Sequence, residues 1–146
     1  MKIQAKKLHE SAILPTRGSA LAAGADLYAL PSEGELVIEA GQTRLVHTGI
    51  AVAIPEGYVG LIYARSGLAS KRHLAPANKV GVIDADYRGE LMVALHNHGE
   101  EAQTVAAGER IAQLVIAPYL VCDYELCDAL DETERGDGGF GSTGTR

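Results

Sequence analysis

The chain is poor in several residue types, and each shortage excludes something. It has no Trp, one Phe and two Cys in 146 residues. The cysteines, Cys122 and Cys127, do not have a zinc-site spacing and are too few for a disulfide framework. They read as two reduced thiols, as in a cytoplasmic protein. On a single strand they would face opposite sides. No run approaches the 18 apolar residues that a membrane span needs. The opening MKIQAKKLHE has lysines with no apolar stretch behind them, so no signal peptide is expected. Positive charge is also scarce: 13 Lys+Arg against 19 Asp+Glu, a formal net charge of −6. Such a chain does not neutralise many phosphates at once, which argues against direct nucleic-acid binding. A local arginine cluster can still take one small polyanion.

Glycine is plentiful, with 17 in 146 residues, about 12% against a typical ~7%. It is spread through the chain, between short Val/Ile/Leu-rich runs at 35–39, 43–47, 50–54, 58–63, 90–96 and 110–117. Leu91, Val93 and Leu95 alternate with Met92, Ala94 and His96, the period of a half-buried strand. Many short strands with regular turns predict an all-β sandwich or barrel. Residues 66–71 have room for one or two helical turns, and 123–134 are acidic without a clear pattern. Residues 1–134 read as one domain. Residues 135–146 hold five glycines, one aromatic and two arginines, which cannot bury enough surface to order themselves and predict a mobile tail.

Several segments carry chemistry. Gly136, Gly138 and Gly141 match a dinucleotide fingerprint by letters, but the chain ends where a helix would have to follow; there is no Gly-Lys-Ser/Thr for a Walker loop either. A Gly/Ser/Thr tail can nonetheless wrap phosphate with its backbone N–H groups, and a lone Phe on such a tail suggests stacking. Asp84 ends the apolar run Val80–Ile83, so strand packing would hold its carboxylate rigidly enough to orient and deprotonate a water. The segment is equally a well-made turn, since Asp and Gly are common turn residues. Arg65, Ser66 and Gly67 combine a guanidinium, a hydroxyl and backbone N–H groups at a helix start, which suits phosphate. The plainer alternative is an N-cap serine beside a surface arginine. Asp26 is a turn residue or a metal-site carboxylate. His96 and His98 share one strand face with no third ligand indicated and read as surface histidines.

The order of these segments is more specific than any one of them. Gly-Ala-Asp-Leu-Tyr (24–28), Ala-Arg-Ser-Gly-Leu-Ala (64–69), Gly-Val-Ile-Asp-Ala-Asp-Tyr-Arg-Gly-Glu (81–90), Gly-Glu-Arg-Ile-Ala-Gln (108–113) and Arg-Gly-x-Gly-Gly-Phe-Gly-Ser-Thr-Gly (135–144) resemble the five motifs of the trimeric deoxyuridine triphosphatases, from about residue 11 onwards. The resemblance implies a distorted jelly-roll (β-clip-like) barrel and a homotrimer with shared active sites. It also implies hydrolysis of dUTP to dUMP and pyrophosphate with Mg²⁺, which limits uracil in DNA and supplies dUMP for dTMP synthesis. By the same resemblance Asp84 holds the attacking water, and Tyr87 packs on deoxyribose and rejects a 2′-hydroxyl. Asn78, with backbone from Gly81, Val82 and Ile83 and near Met92, lines a slot for uracil. Arg65, Ser66, Gly67 and Gln113 bind phosphate, and Asp26 reaches Mg²⁺ through water. Phe140 stacks on the base, while Arg135, Gly141 and Ser142 close over the phosphates. One departure is His73, which stands at a usual glycine position. The rival readings are a dCTP deaminase-like relative, which needs a glutamate placed at cytosine C4 that the sequence does not display, and a non-catalytic trimeric nucleotide-binding jelly roll.

Overall fold

A computed structural model describes residues 1–32 and 34–139. Eleven strands and one helix follow in order: β1 (Gln4–Lys7), β2 (Thr16–Arg17), β3 (Ala25–Tyr28), β4 (Glu35–Ile38), β5 (Thr43–Ala53), β6 (Tyr58–Tyr63), α1 (Ser66–Arg72), β7 (Leu74–Pro76), β8 (Val80–Ile83), β9 (Glu90–Asn97), β10 (Gln103–Ala106) and β11 (Arg110–Pro118). They form a four-stranded sheet β1-β5-β9-β7, a five-stranded sheet β2-β3-β11-β6-β8 and a two-stranded ribbon β10-β4. Pairing is antiparallel throughout these ladders. The all-β class with one short helix is as expected, and the architecture is a jelly roll. The described strands form open sheets and do not close into a barrel.

The period-two pattern does the folding work predicted for it. Along β9, Leu91, Val93, Leu95 and Asn97 are buried while Glu90, Met92, Ala94 and His96 turn outward. One core joins them to Leu27, Ile62, Ile111 and Leu114 of the five-stranded sheet and to Ile38 and Val105 of the ribbon. Each fully buried Leu, Ile or Val contributes about 1.5–3 kcal/mol, so this shared core fixes the sheets relative to one another. Asn97 is buried without penalty because its amide donates to the Ile38 and Glu101 carbonyls (3.0 and 2.8 Å) and accepts from the Gly99 N–H (2.9 Å).

The runs at 43–47 and 50–54 are one strand. The chain adopts a left-handed conformation at Gly49 (φ 68°), between the two runs, yet the ladder resumes beyond it. The register jumps from His47 opposite Met92 to Ala51 opposite Glu90, a bulge in β5. The helix stops at His73, which takes φ 55° and sends its N–H back to the Leu68 carbonyl. The departure noted in the sequence thus falls where glycine is most at ease. Residues 119–139 contain no strand or helix, and Cys122 and Cys127 lie there, exposed and unpaired rather than on a strand.

Candidate active site

Two groups of side chains stand out, on different parts of the five-stranded sheet. The first gathers three segments far apart in sequence. In β3, Asp26 lies opposite Gln113 of β11, and Gln113 lies opposite Tyr63 at the end of β6. The chain leaving β6 therefore delivers Arg65 beside Asp26. Asp26 accepts from Arg65 Nε at 2.7 Å and from Arg110 Nη1 at 3.3 Å. Arg65 also donates to the Arg110 carbonyl (3.4 Å). Gln113 Nε2 donates to the Ala64 carbonyl at 2.9 Å, tying β11 to the same turn. Gly24 makes room for that amide, since a Cβ there would lie 2.4 Å from Gln113 Oε1. Two guanidiniums around one carboxylate leave a surplus positive charge, which suits an anion. Ser66 and Gly67 are exposed at the start of α1, and no side chain caps the helix. The arginine is thus an ion-pair partner rather than a loose surface residue, and the serine is the first helical residue rather than its cap.

Arg110 was not singled out from the sequence, although it belongs to the same motif as Gln113. Its place in that quoted motif was the available signal; its partner, 84 residues away, was not legible.

The second group surrounds β8. This strand is the edge of its sheet, paired only to β6 among the described residues. After the turn at 84–89 the chain enters β9, which pairs with β5 and β7 instead. The two strands therefore diverge, and the outer backbone edge of Gly81, Val82 and Ile83 has no ladder partner. Asn78 sits in the turn entering β8, its Nδ2 3.5 Å from where a Cβ of Gly81 would lie. The Ala77 N–H donates to the Ala94 carbonyl (2.8 Å), which ties this turn to the β9 side of the opening. Met92, partly buried, lies on that same outward face of β9. At the far end of β8, Asp84 is exposed and lines a cavity of about 540 Å³ with Glu56, Asp86, Arg88 and Tyr119. The Tyr87 N–H donates to the Asp84 carbonyl (3.1 Å), and the Tyr87 hydroxyl donates to the Glu90 carbonyl (2.9 Å).

The two groups do not meet within one chain. Asp84 follows Ile83, which pairs with Gly60, whereas Arg65 follows Tyr63, which pairs with Val80. Those two rows are about 10 Å apart at ~3.3 Å per residue, and both residues lie beyond them. Arg135 joins neither group: its Nε donates to the Gly138 carbonyl (2.8 Å). Phe140, Gly141 and Ser142 lie outside the described residues. His96 bonds Thr43 Oγ1 through Nδ1 (2.9 Å), and its ring centroid is 4.4 Å from that of exposed His98. Desolvation and the neighbouring His96, Lys79 and His73 hold His98 below its ordinary pKa. Among the described residues no three His, Cys, Asp or Glu side chains gather as a metal site.

Comparison with known proteins shows the family. The dUTPase family model matches residues 10–144. The deoxyuridine 5′-triphosphate nucleotidohydrolase of Syntrophotalea carbinolica is 52% identical over 142 residues, covering 97% of this chain and 96% of that protein. The protein of the same name from Desulfitobacterium hafniense is 53% identical over 132 residues, covering 90% and 87%. Among solved structures, the Staphylococcus bacteriophage 80alpha dUTPase with dUpNHpp superposes with a TM-score of 0.90 at 33% identity, covering 98% of each chain. On a match that spans nearly all of the chain, the protein is a member of the dUTPase family.

Proposed function

We propose that the protein hydrolyses dUTP to dUMP and pyrophosphate, by attack of water on the α-phosphorus. The observation that carries this reading is the unpaired edge of β8, which leads from Asn78 through the free backbone of Gly81–Ile83 to Asp84 and Tyr87. That edge offers a base fixed donors and acceptors, and the residues at its end suit the sugar and the water. A slot of this kind rejects a base with mismatched donors and acceptors, by about 10⁴–10⁵ in comparable sites.

The chemistry follows from the side chains. Asp84 orients a water and accepts its proton as the water oxygen bonds to the α-phosphorus. The bond from that phosphorus to the bridging oxygen breaks, and pyrophosphate leaves. Little covalent work falls to the protein, so positioning and charge carry the acceleration. Arg65 and Gln113, with Ser66 and Gly67, hold the phosphates. In the tail, Phe140 stacks on uracil, worth about 1–3 kcal/mol, while Arg135, Gly141 and Ser142 close over the phosphates and exclude water. Residues 135–146 act as a segment that closes over the site of the domain formed by 1–134.

The donor set around Asp26 fits Mg²⁺ held through water. Each Asp26 oxygen already accepts one arginine bond, and enough acceptor capacity remains for a water but not for a protein cage. Mg²⁺ favours this arrangement, keeping its waters and binding mainly to substrate phosphates, whose charge it neutralises.

Two observations support a homotrimer with shared sites. The Asp84 and Arg65 groups are too far apart in one chain to serve one α-phosphate and its leaving group, so a second copy completes each site. The segment after β11 also leaves Leu120, Val121, Tyr124, Leu126 and Leu130 almost wholly exposed, a pattern that marks an association surface. In the cell the reaction would keep uracil out of DNA and supply dUMP for dTMP synthesis, in the cytoplasm.

The test is pyrophosphate release from dUTP, dCTP, dTTP and UTP with Mg²⁺, by the native protein and by Asp84→Asn. The reading expects release from dUTP alone, lost in Asp84→Asn while dUpNHpp still binds. Ammonia from dCTP would point to a deaminase, and binding without turnover in the native protein to a binding module.

A further inference from the structure

The bulge in β5 lies directly behind the turn that carries Tyr87, and Glu90 joins the two. Its carboxylate fills the gap in the ladder. Oε1 accepts from the Thr48 N–H (3.1 Å) and the Gly49 N–H (2.7 Å), and Oε2 pairs with His47 Nδ1 (2.9 Å). The bulge itself is anchored by three further bonds. Leu30 N–H donates to the His47 carbonyl (2.7 Å), Leu8 N–H to the Gly49 carbonyl (2.8 Å), and the buried Thr48 hydroxyl to the Leu91 carbonyl (2.6 Å). Gly49 is closely packed as well, since a Cβ there would lie 2.6 Å from Leu30 Cδ2 and 2.8 Å from Ala12 Cβ. Glu90 is thus gripped by a segment that is itself tied to Leu8, Leu30 and Leu91.

The backbone of the same residue grips Tyr87. The Tyr87 hydroxyl donates to the Glu90 carbonyl, and the ring lies over Gly89, where a Cβ would sit 2.4 Å from Oη and 2.6 Å from Cζ. We infer that Glu90 is a positioning residue for specificity: its carboxylate, clamped in the β5 bulge, fixes the carbonyl that holds the Tyr87 ring in place. This rests on the reading above that Tyr87 faces the sugar. A ring held to one position excludes a 2′-hydroxyl; a ring free to swing admits it. Glu90 touches no substrate in this account and acts through Tyr87.

The experiment compares the native protein with Glu90→Ala and Glu90→Gln, measuring kcat and KM for dUTP and UTP. Glu90→Ala leaves the Thr48 and Gly49 N–H groups without acceptors. It is expected to lower the ratio of kcat/KM for dUTP over UTP about tenfold, mainly through a raised KM for dUTP and improved use of UTP. Glu90→Gln keeps an oxygen for both N–H groups and should hold the ratio within about threefold of native. A Glu90→Ala protein that is less stable but keeps the native ratio would overturn the proposal and leave only a structural role. If Glu90→Ala does not fold, Tyr87→Phe cuts the same link without touching the bulge. The ratio should fall there too, and an unchanged ratio would overturn the proposal. The link can also be read without substrate. The Tyr87 ring resonances, assigned by their loss in Tyr87→Phe, should shift in Glu90→Ala or, if that variant does not fold, in His47→Ala, and unchanged resonances would overturn the link. A native protein that never turns over dUTP would refute the parent reading, while these resonances would still decide the link.

Discussion

Gly24→Ala should damage the phosphate group by displacing Gln113, without altering any phosphate-binding side chain itself. A Cβ at position 24 would lie 2.4 Å from Gln113 Oε1, 3.1 Å from its Cδ and 3.2 Å from its Cβ. The amide end can swing away, but only by giving up its bond to the Ala64 carbonyl at 2.9 Å. That bond is neutral and worth about 1 kcal/mol. Residual crowding against the Gln113 stem adds a part of the 1–3 kcal/mol typical of overpacking. A loss of about 1–2 kcal/mol in stability is therefore expected, measured by urea unfolding at fixed protein concentration. Gln113 would also leave its place beside Arg65, which is expected to lower kcat/KM for dUTP about tenfold, equivalent to about 1.4 kcal/mol. The reasoning has a sharp test in a double-mutant cycle. If Gly24→Ala acts only by displacing Gln113, then Gln113→Ala alone should cost about as much in kcat/KM, and the double variant should fall no further. Additive losses, about a hundredfold in the double variant, would refute the argument.

Other consequences are simpler to test. His73→Gly removes the cost of a non-glycine residue at φ 55°, about 1–2 kcal/mol, and adds chain flexibility costing about 0.5–1 kcal/mol. Denaturant unfolding should register a change between zero and about 1.5 kcal/mol of stabilisation, and a clear destabilisation would contradict it. Burial tends to raise the Glu90 pKa, but the His47 ring and the Gly49 and Thr48 amides outweigh it and hold the carboxyl below its ordinary value. Its bonds therefore stabilise the fold above the unfolded pKa, about 4.3, and that contribution is lost as pH falls through the lowered folded value. Native protein should lose more stability than Glu90→Gln as pH falls from about 5; parallel curves would count against the clamp. A chain ending at residue 134 should keep the β-sheet circular dichroism of the full protein and lose at least about fivefold in kcat/KM, from base stacking alone. Full activity without the tail would remove it from the mechanism.

Much of the fold was legible because its central strands alternate. The run at 58–63 coincides with β6, and the inward set of β9 is the one the alternation picks out. Other strands gave no such signal. In β1, Gln-Ala-Lys-Lys is exposed at every position, and β7 is three residues long and ends in Pro76. These strands exist because a neighbour supplies the ladder, not because of their own pattern. The join of two runs into β5 was hidden for a related reason: the bulge between them is held by partners far away in sequence, among them the Glu90 carboxylate, 41 and 42 residues on. In the site, the identities of Asp26, Arg65 and Gln113 came from motif order. Their meeting depends on the β3–β11–β6 register, which no local spacing encodes. Arg110 and Gly24 were missed for that reason, since each has its role only through a partner on another strand.

The most direct test of the mechanism is the fate of the water oxygen. The protein would turn over dUTP with Mg²⁺ in H₂¹⁸O, and the products would be separated and weighed by mass spectrometry. Attack on the α-phosphorus, with the water held by Asp84, predicts one ¹⁸O in dUMP and none in pyrophosphate. Label in pyrophosphate, or no products from dUTP, would contradict the account.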